Sequence, residues 1–462
     1  MTRLSFHFCI ALLFLSTSTT VSAFQAQAPP QIADLIQLNA DKLIDAALAD
    51  SAAWDRLAYL TDTFGPRFSG TENLEKALDW ILEEMNRDGL ENVVGEPVKI
   101  PHWVRGEEAL MLLAPHVRKL QILGLGGSVG TGPEGVQAEV FVVGSYDDLE
   151  ANKDMAAGKI VLWNVPFTSY GATVNYRTNG AVRAAEAGAI ASLVRSVAPE
   201  SMYTPHTGNS RYDENVVRIP HAAVTIEDAM MMQRMQDRGQ KIEVRLQMND
   251  YWLPDADSYN VMGEIVGSEF PDEVIVMGGH IDSWDVGTGA MDDAGGCVAA
   301  WEALRLIKEL GLTPKRTIRV VMWTNEENGM RGGNAYRDAH MDELDDHILA
   351  MESDGGVFKP RGFGFTGSDA AFDVITQVGT LLERIESGTI TRGGGGADIG
   401  PIMREGVPGM GLNVDGSKYF NYHHTKADYV DKLDPADVAR SVATMAVMAY
   451  VVADLDQRLP RD

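Results

Sequence analysis

Thiols are almost missing from this 462-residue chain, in which Cys9 and Cys297 are the two cysteines. With no CxxC pair, a Cys-type structural zinc site is disfavoured. Positive charge is also scarce: 39 Lys and Arg stand against 66 Asp and Glu, a formal charge of −27. A field of that sign repels phosphate backbones and anionic lipid, so neither nucleic acid nor a membrane is an expected partner. Past the amino-terminal segment no run approaches the roughly twenty apolar residues of a membrane helix. There is no internal repeat and no low-complexity tract, and the glycine cluster Arg392–Gly396 reads as a local loop.

What is present suits a folded, exported protein. Hydrophobic residues make up 45% of the chain, enough for a buried core, and the length predicts two domains or more. Arg3, the apolar run Phe8–Leu15 and Val21-Ser22-Ala23 form an export signal over residues 1–23, with cleavage expected after Ala23. The product is expected to be soluble and periplasmic or extracellular. Cys9 leaves with the signal, so no intramolecular disulfide is expected, and Cys297 reads as a small buried hydrophobe.

Leu74, Ala77, Leu78, Ile81, Leu82 and Met85 recur at helical spacing between a start signal at Ser69–Thr71 and a stop at Gly89. Near Gly126 the texture changes to Gly-rich turns and short β-type runs, Glu139–Val143, Lys159–Asn164 and Lys241–Met248, around an Ala-rich helix at Ala181–Ala191. Residues 126–251 are therefore expected to be an inserted domain that interrupts a main domain of residues 34–125 and 252–462. Past Tyr251, the buried strands Val274–Gly278, Ile318–Trp323 and Ile348–Met351 alternate with helices, including Val298–Leu310, and Pro435–Leu455 reads as a last packed helix. This predicts an α/β fold with a mixed, mostly parallel sheet flanked by helices.

The chemistry-bearing residues follow the carboxyl ends of those strands: His280 after the first, Glu326 and Glu327 after the second, Asp354 after the third. Open α/β sheets bind ligands at that edge. Between the first two lies Gly289-Ala290-Met291-Asp292-Asp293-Ala294-Gly295-Gly296, an acidic turn whose carboxylate can face the same cleft. Asp282, two residues past His280, is placed to fix the imidazole tautomer from behind. Adjacent Glu326 and Glu327 would repel each other in a dry site without a cation. With a metal present, one ligates and its neighbour takes a proton from an attacking water. Imidazole and carboxylate donors without thiolate favour zinc or a similar divalent ion in an open catalytic site. Five residues suffice for two ions when one carboxylate bridges them about 3.5–4 Å apart.

HIDSWDVGTGAMDDAGG from His280, WTNEENG from Trp323, MESDGG from Met351 and YFNYHHT from Tyr419 together resemble the dinuclear zinc exopeptidases, the superfamily of zinc aminopeptidases and glutamate carboxypeptidases. The resemblance runs from about residue 34 onward. It implies two zinc ions per chain, with His280 and Asp354 on one, Glu327 and His424 on the other, Asp292 bridging them and Glu326 as general base. It also implies a cis Asp292-Asp293 peptide, a homodimer, and a protease-associated character for residues 126–251. Where many relatives carry a tyrosine before the last histidine ligand, this chain has His423, so His423, Tyr419 or Tyr422 is expected to take that role, and Asp398 to line substrate. The activity implied is hydrolysis of small peptides or dipeptides, with aminopeptidase as the alternative. A non-catalytic, transferrin-receptor-type binding protein is opposed by all five ligand positions being filled. A one-zinc glutaminyl cyclase is opposed by Asp292, Glu327 and the insertion.

Overall fold

The structure, a computed structural model, describes Met1, residues 34–200 and residues 202–461. The export signal, its cleavage point and Cys9 lie outside the described residues, Met1 aside. Among the described residues the chain forms two eight-stranded sheets.

The main sheet runs in the order Glu91–Val104, Tyr251–Ile265, Arg316–Trp323, Phe270–His280, His347–Glu352, Gly409–Val414, Pro360–Thr366 and Thr389–Arg392. Its centre is parallel and its flanks include antiparallel pairs. The central strand Phe270–His280 is wholly buried from Val274 onward, as the continuous apolar runs of a strand covered on both faces require. Helix Gly295–Glu309 and the closing helix Pro435–Asp454 pack against it and against helix Asp34–Ala49. The expected helix after Thr71 spans Glu72–Arg87; the Thr71 side chain accepts from Leu74 N, and the periodic residues Leu74, Ala77, Leu78, Ile81 and Met85 face the core.

Helix Pro435–Asp454 corrects the expectation that no segment approaches the apolar length of a membrane span: it is 20 residues long, and its most apolar 18-residue window has a mean hydropathy of 1.4. Its side chains are instead spent on the core, where 83% of the most apolar window is buried.

The second sheet runs Arg118–Leu120, Glu108–Ala114, Glu243–Met248, Val136–Val143, Ile160–Trp163, Ala191–Arg195, His221–Val224 and Ile122–Gly124. It starts ahead of Gly126, where the change of texture was read, because Leu110, Leu112, Leu120 and Ile122 share a core with Val244 and Leu246. The Ala-rich helix also differs from expectation. It begins at Tyr170 and ends at Glu186, while Ala191 opens a strand. Gly188, at φ +81°, makes the break. The chain leaves the main sheet at Val104 and re-enters at Tyr251, and these residues are cross-strand partners. Both connections to the second sheet therefore emerge side by side from one two-stranded ribbon. Arg105 pins that exit, bonding Asp285 in the main unit at 2.7 Å and Glu108 in the second sheet at 3.2 Å.

Candidate metal centre and active site

Strand register assembles the site. His280 pairs with Trp323 across one parallel ladder, and Gly278 with Glu352 across the other. The three carboxyl ends are thus level, so His280, the Glu326-Glu327 turn and Asp354 emerge together. The acidic turn closes over them because glycines let it approach: a Cβ on Gly279 would lie 2.2 Å from Asp293 Oδ2, and one on Gly296 1.9 Å from Ser353 O. Asp293 is wholly buried and uses its carboxylate to hold backbone, accepting from His280 N at 3.2 Å and Gly296 N at 3.1 Å. The Asp292-Asp293 peptide is cis. His424 arrives from the far end of the chain with φ +60°.

Four contacts define the centre. His280 Nε2 lies 3.3 Å from Asp292 Oδ1 and 3.3 Å from Asp354 Oδ1. His424 Nε2 lies 3.3 Å from Asp292 Oδ2 and 3.0 Å from Glu327 Oε2. Asp292 therefore turns each of its two oxygens to a different imidazole–carboxylate pair. A tetrahedral ion with bonds of about 2.0–2.1 Å has ligand–ligand edges of about 3.3–3.4 Å, the spacing of three of these contacts, the fourth being 3.0 Å. Asp292 Oδ2 and Glu327 Oε1 are buried without a hydrogen-bond partner among the described residues. Such orphaned acceptors are the sites a cation satisfies.

Charge makes the same demand. Burial, then repulsion from Asp354 and Glu327 against a partial offset from His280, pushes the Glu326 carboxyl well above its usual range. Burial and the Asp292 charge take Glu327 to about 6 despite His424. Burial would also raise Asp292, but His280 and His424 hold it well below the usual carboxylate range. Burial opposes the charged form of His424, yet Glu327 and Asp292 push it up to about 10. Carboxylates this crowded in a dry site need protons or a metal, and the donor set fits a divalent metal of the zinc type.

The remaining expected residues are placed as follows. The His280 tautomer is set by the backbone carbonyl of Asp282, 2.9 Å from Nδ1, whereas the Asp282 carboxylate is 3.7 Å away. That carboxylate instead accepts from Glu326 N at 2.9 Å and Glu327 N at 3.3 Å, shaping the turn that carries both glutamates. His423 stacks on His424 with ring centroids 3.5 Å apart, and its Nε2 is 3.6 Å from Asp292 Oδ2. Asp292, His423 and His424 accordingly form one of two groups of close potential ligands, the other being His280, Asp292 and Asp354. Tyr419 lines the cavity beside the centre, whereas Tyr422 and Asp398 are not among its lining residues. Asp398 is 1% exposed with neither carboxylate oxygen hydrogen-bonded. Glu352 holds the glycine loop around it, accepting from Ala397 N and Ile399 N at 2.8 Å each.

Three supports carry no motif of their own. Asp428 accepts from Met291 N at 2.8 Å and Asp292 N at 3.2 Å, fixing the shared carboxylate's backbone. Buried Arg67 donates to the carbonyls of Gly65, Ile281, Thr288 and Gly289, fastening both metal-facing loops. His206 and Thr207 bond the loop of His423 and His424. The YHHTKAD stretch places Asp428 four residues after His424, the one signal that could have singled it out.

The centre floors a cavity of about 820 Å³, within the size range of small-ligand sites. Asp292, Glu326, Glu327, Asp354, His423 and His424 line it together with residues from the segment of the second sheet, among them Tyr170, Asn175, Arg177, Asn179, Asn209 and Arg211.

Carboxypeptidase Q of Bos taurus is 50% identical over 413 residues, covering 89% of this chain and 88% of the relative. The model of peptidase family M28 matches residues 260–449, the stretch that carries every donor named above. The chain belongs to peptidase family M28. As a member of M28 it is a peptide-bond hydrolase. The crystal structure of a peptidase M28 precursor from Shewanella amazonensis SB2B superposes with a TM-score of 0.89 at 34% identity, covering 93% of this chain and 99% of that one. A zinc aminopeptidase from Bacillus subtilis shares the M28 fold at a TM-score of 0.65 and 20% identity, covering 88% of this chain and 98% of that one.

Proposed function

We propose that the chain is a zinc-dependent exopeptidase for small peptides, holding two zinc ions through His280, Asp354, Glu327, His424 and the shared Asp292, with Glu326 as its general base. The observation that carries this reading is the division of the Asp292 oxygens between two imidazole–carboxylate pairs. Zinc held there lowers the pKa of water and stabilises negative charge developing on the scissile carbonyl oxygen. Glu326 lines the cavity without being needed as a ligand, so it takes the proton of the attacking water and returns it to the leaving amine. His423 or Tyr419, both of which line the cavity, donates to the carbonyl oxygen as it gains charge in this reading.

The wall that the second unit contributes has Arg177 and Arg211 and, among the described lining residues, no carboxylate; Arg177 is buried beside His424, bonding Thr207 O and Tyr170 Oη, so exposed Arg211 is the cation offered to a substrate. Such a wall suits a free α-carboxylate better than a free amine. Carboxypeptidase or dipeptidase action on short peptides is therefore the preferred reading, in keeping with the carboxypeptidase Q relatives, and aminopeptidase action is the alternative. Hydrolysis of a dipeptide, its N-acetylated form and its C-amidated form tests this. Loss on amidation supports the preferred reading, with loss on acetylation as well marking a dipeptidase; loss on acetylation alone contradicts it. We further propose export through residues 1–23 to a periplasm or the cell exterior, and a protease-associated character for the unit built on the second sheet.

A further inference from the structure

The last metal donor is held from outside its own unit. His424 sits in a loop with no strand beneath it, and its left-handed backbone is one that a non-glycine residue adopts only when its surroundings enforce it. Trp284 and His423 of the main unit pack on its ring, and the hydrogen bonds to its loop from outside come from the second unit. Thr207 N donates to His424 O at 2.9 Å, and Thr207 O lies 3.3 Å from His424 Nδ1. His206 Nδ1 bonds His423 O at 2.8 Å. The bracing segment is itself tied down: His206 N donates to Ser196 Oγ at 3.0 Å, Arg177 donates to Thr207 O at 3.2 Å, and Thr207 Oγ1 donates to Gly124 O at 2.8 Å. When His424 Nε2 serves a metal, Nδ1 carries the ring proton and Thr207 O is its acceptor, the arrangement that orients a ligating imidazole.

We propose that His206 and Thr207 are positioning residues of the metal centre, so that the second unit completes the half-site containing His424 while leaving the His280 half-site to the main unit. This rests on the two-zinc reading given above. His206 supplies the side-chain handle. An asparagine amide nitrogen falls near the position of imidazole Nδ1 and keeps the bond to His423 O, whereas a glutamine amide nitrogen falls near Nε2 and loses it. Both replacements retain polarity and approximate size, so both are expected to fold. His221, equally buried in the same unit and bonded to Ser210 Oγ rather than to the metal loop, is the control.

Zinc affinity is measured by competition with a chelator on the full-length mature protein, with the melting temperature of the metal-free form as the folding check. H206Q is expected to bind one of two zinc ions about 10–100-fold more weakly, with H206N and H221Q close to wild type. Equal zinc binding by H206Q and wild type, an H206N loss as large as that of H206Q, or the same loss in H221Q overturns the proposal. A wild-type protein that binds no zinc overturns the parent reading instead, so the two failures are told apart.

Discussion

The two halves of the candidate metal centre are built in different ways. His280, Asp292 and Asp354 rise from neighbouring parallel strands and a turn clamped by buried side chains, with backbone bonds from Asp293 and Asp428 at 2.8–3.2 Å. Glu327 joins them on a turn shaped by Asp282. His424 instead lies on a loop whose bracing comes from a segment 217 residues away in sequence. One half is fixed by sheet register within a single core, while the other depends on how two units meet. The cavity is lined by both units, with the candidate metal donors coming from one and Arg177 and Arg211 from the other.

The strongest way to break this comparison is at the residue both halves share. Asp292→Ala is expected to lose both zinc ions and bring peptide hydrolysis to background, measured by metal content and turnover; retention of one ion at full affinity contradicts a shared carboxylate. Glu326→Gln comes next, lowering kcat by about 10²–10⁴-fold with zinc content unchanged. Loss of metal in that variant would make Glu326 a ligand rather than a base. Asp282→Asn tests the main-unit half more gently. An amide cannot accept both the Glu326 and Glu327 N–H groups through two oxygens, so a loss of about 10–100-fold in metal affinity or activity is expected.

The parts of this arrangement that could be read in the sequence are those where one strand carries both the packing and the chemistry. Val274–Gly278 and Ile348–Met351 are continuous apolar runs, Ile318–Trp323 is one broken by Arg319 alone, and His280, Glu326, Glu327 and Asp354 come within a few residues after them, so the pattern that locates the strands also locates the cleft. Tertiary supports leave no such trace. A buried Arg67 that feeds four backbone carbonyls looks like any surface arginine in sequence, and the Thr207 contact with His424 is made by backbone atoms that every residue has. Asp282 was placed beside His280 by spacing, but spacing does not tell whether the carboxylate or the carbonyl faces the ring. The early start of the second sheet was hidden because Glu108–Ala114 and Ile122–Gly124 lie before the glycine-rich turns that signal it.

The smallest expected effect concerns the second unit alone. Burial depresses His221 to about 3 in the folded state, against about 6.5 unfolded. A lowered histidine pKa contributes its full stability above pH 6.5 and loses it as pH falls toward 3, by about 1.4 kcal/mol per unit. The stability of H221Q relative to wild type should therefore rise on acidification from 6.5 to 4.5, as followed by thermal melts of the metal-free proteins. A pH-independent difference would mean that His221 is not held neutral by burial.

Zinc stoichiometry joined to activity tests the central claim most directly. The purified mature protein is stripped with a chelator and titrated with zinc while dipeptide hydrolysis is followed. The two-metal account predicts loss of activity on stripping and its return as two zinc ions bind per chain; a stripped protein that keeps full activity, or one that recovers it fully with a single ion, would contradict it.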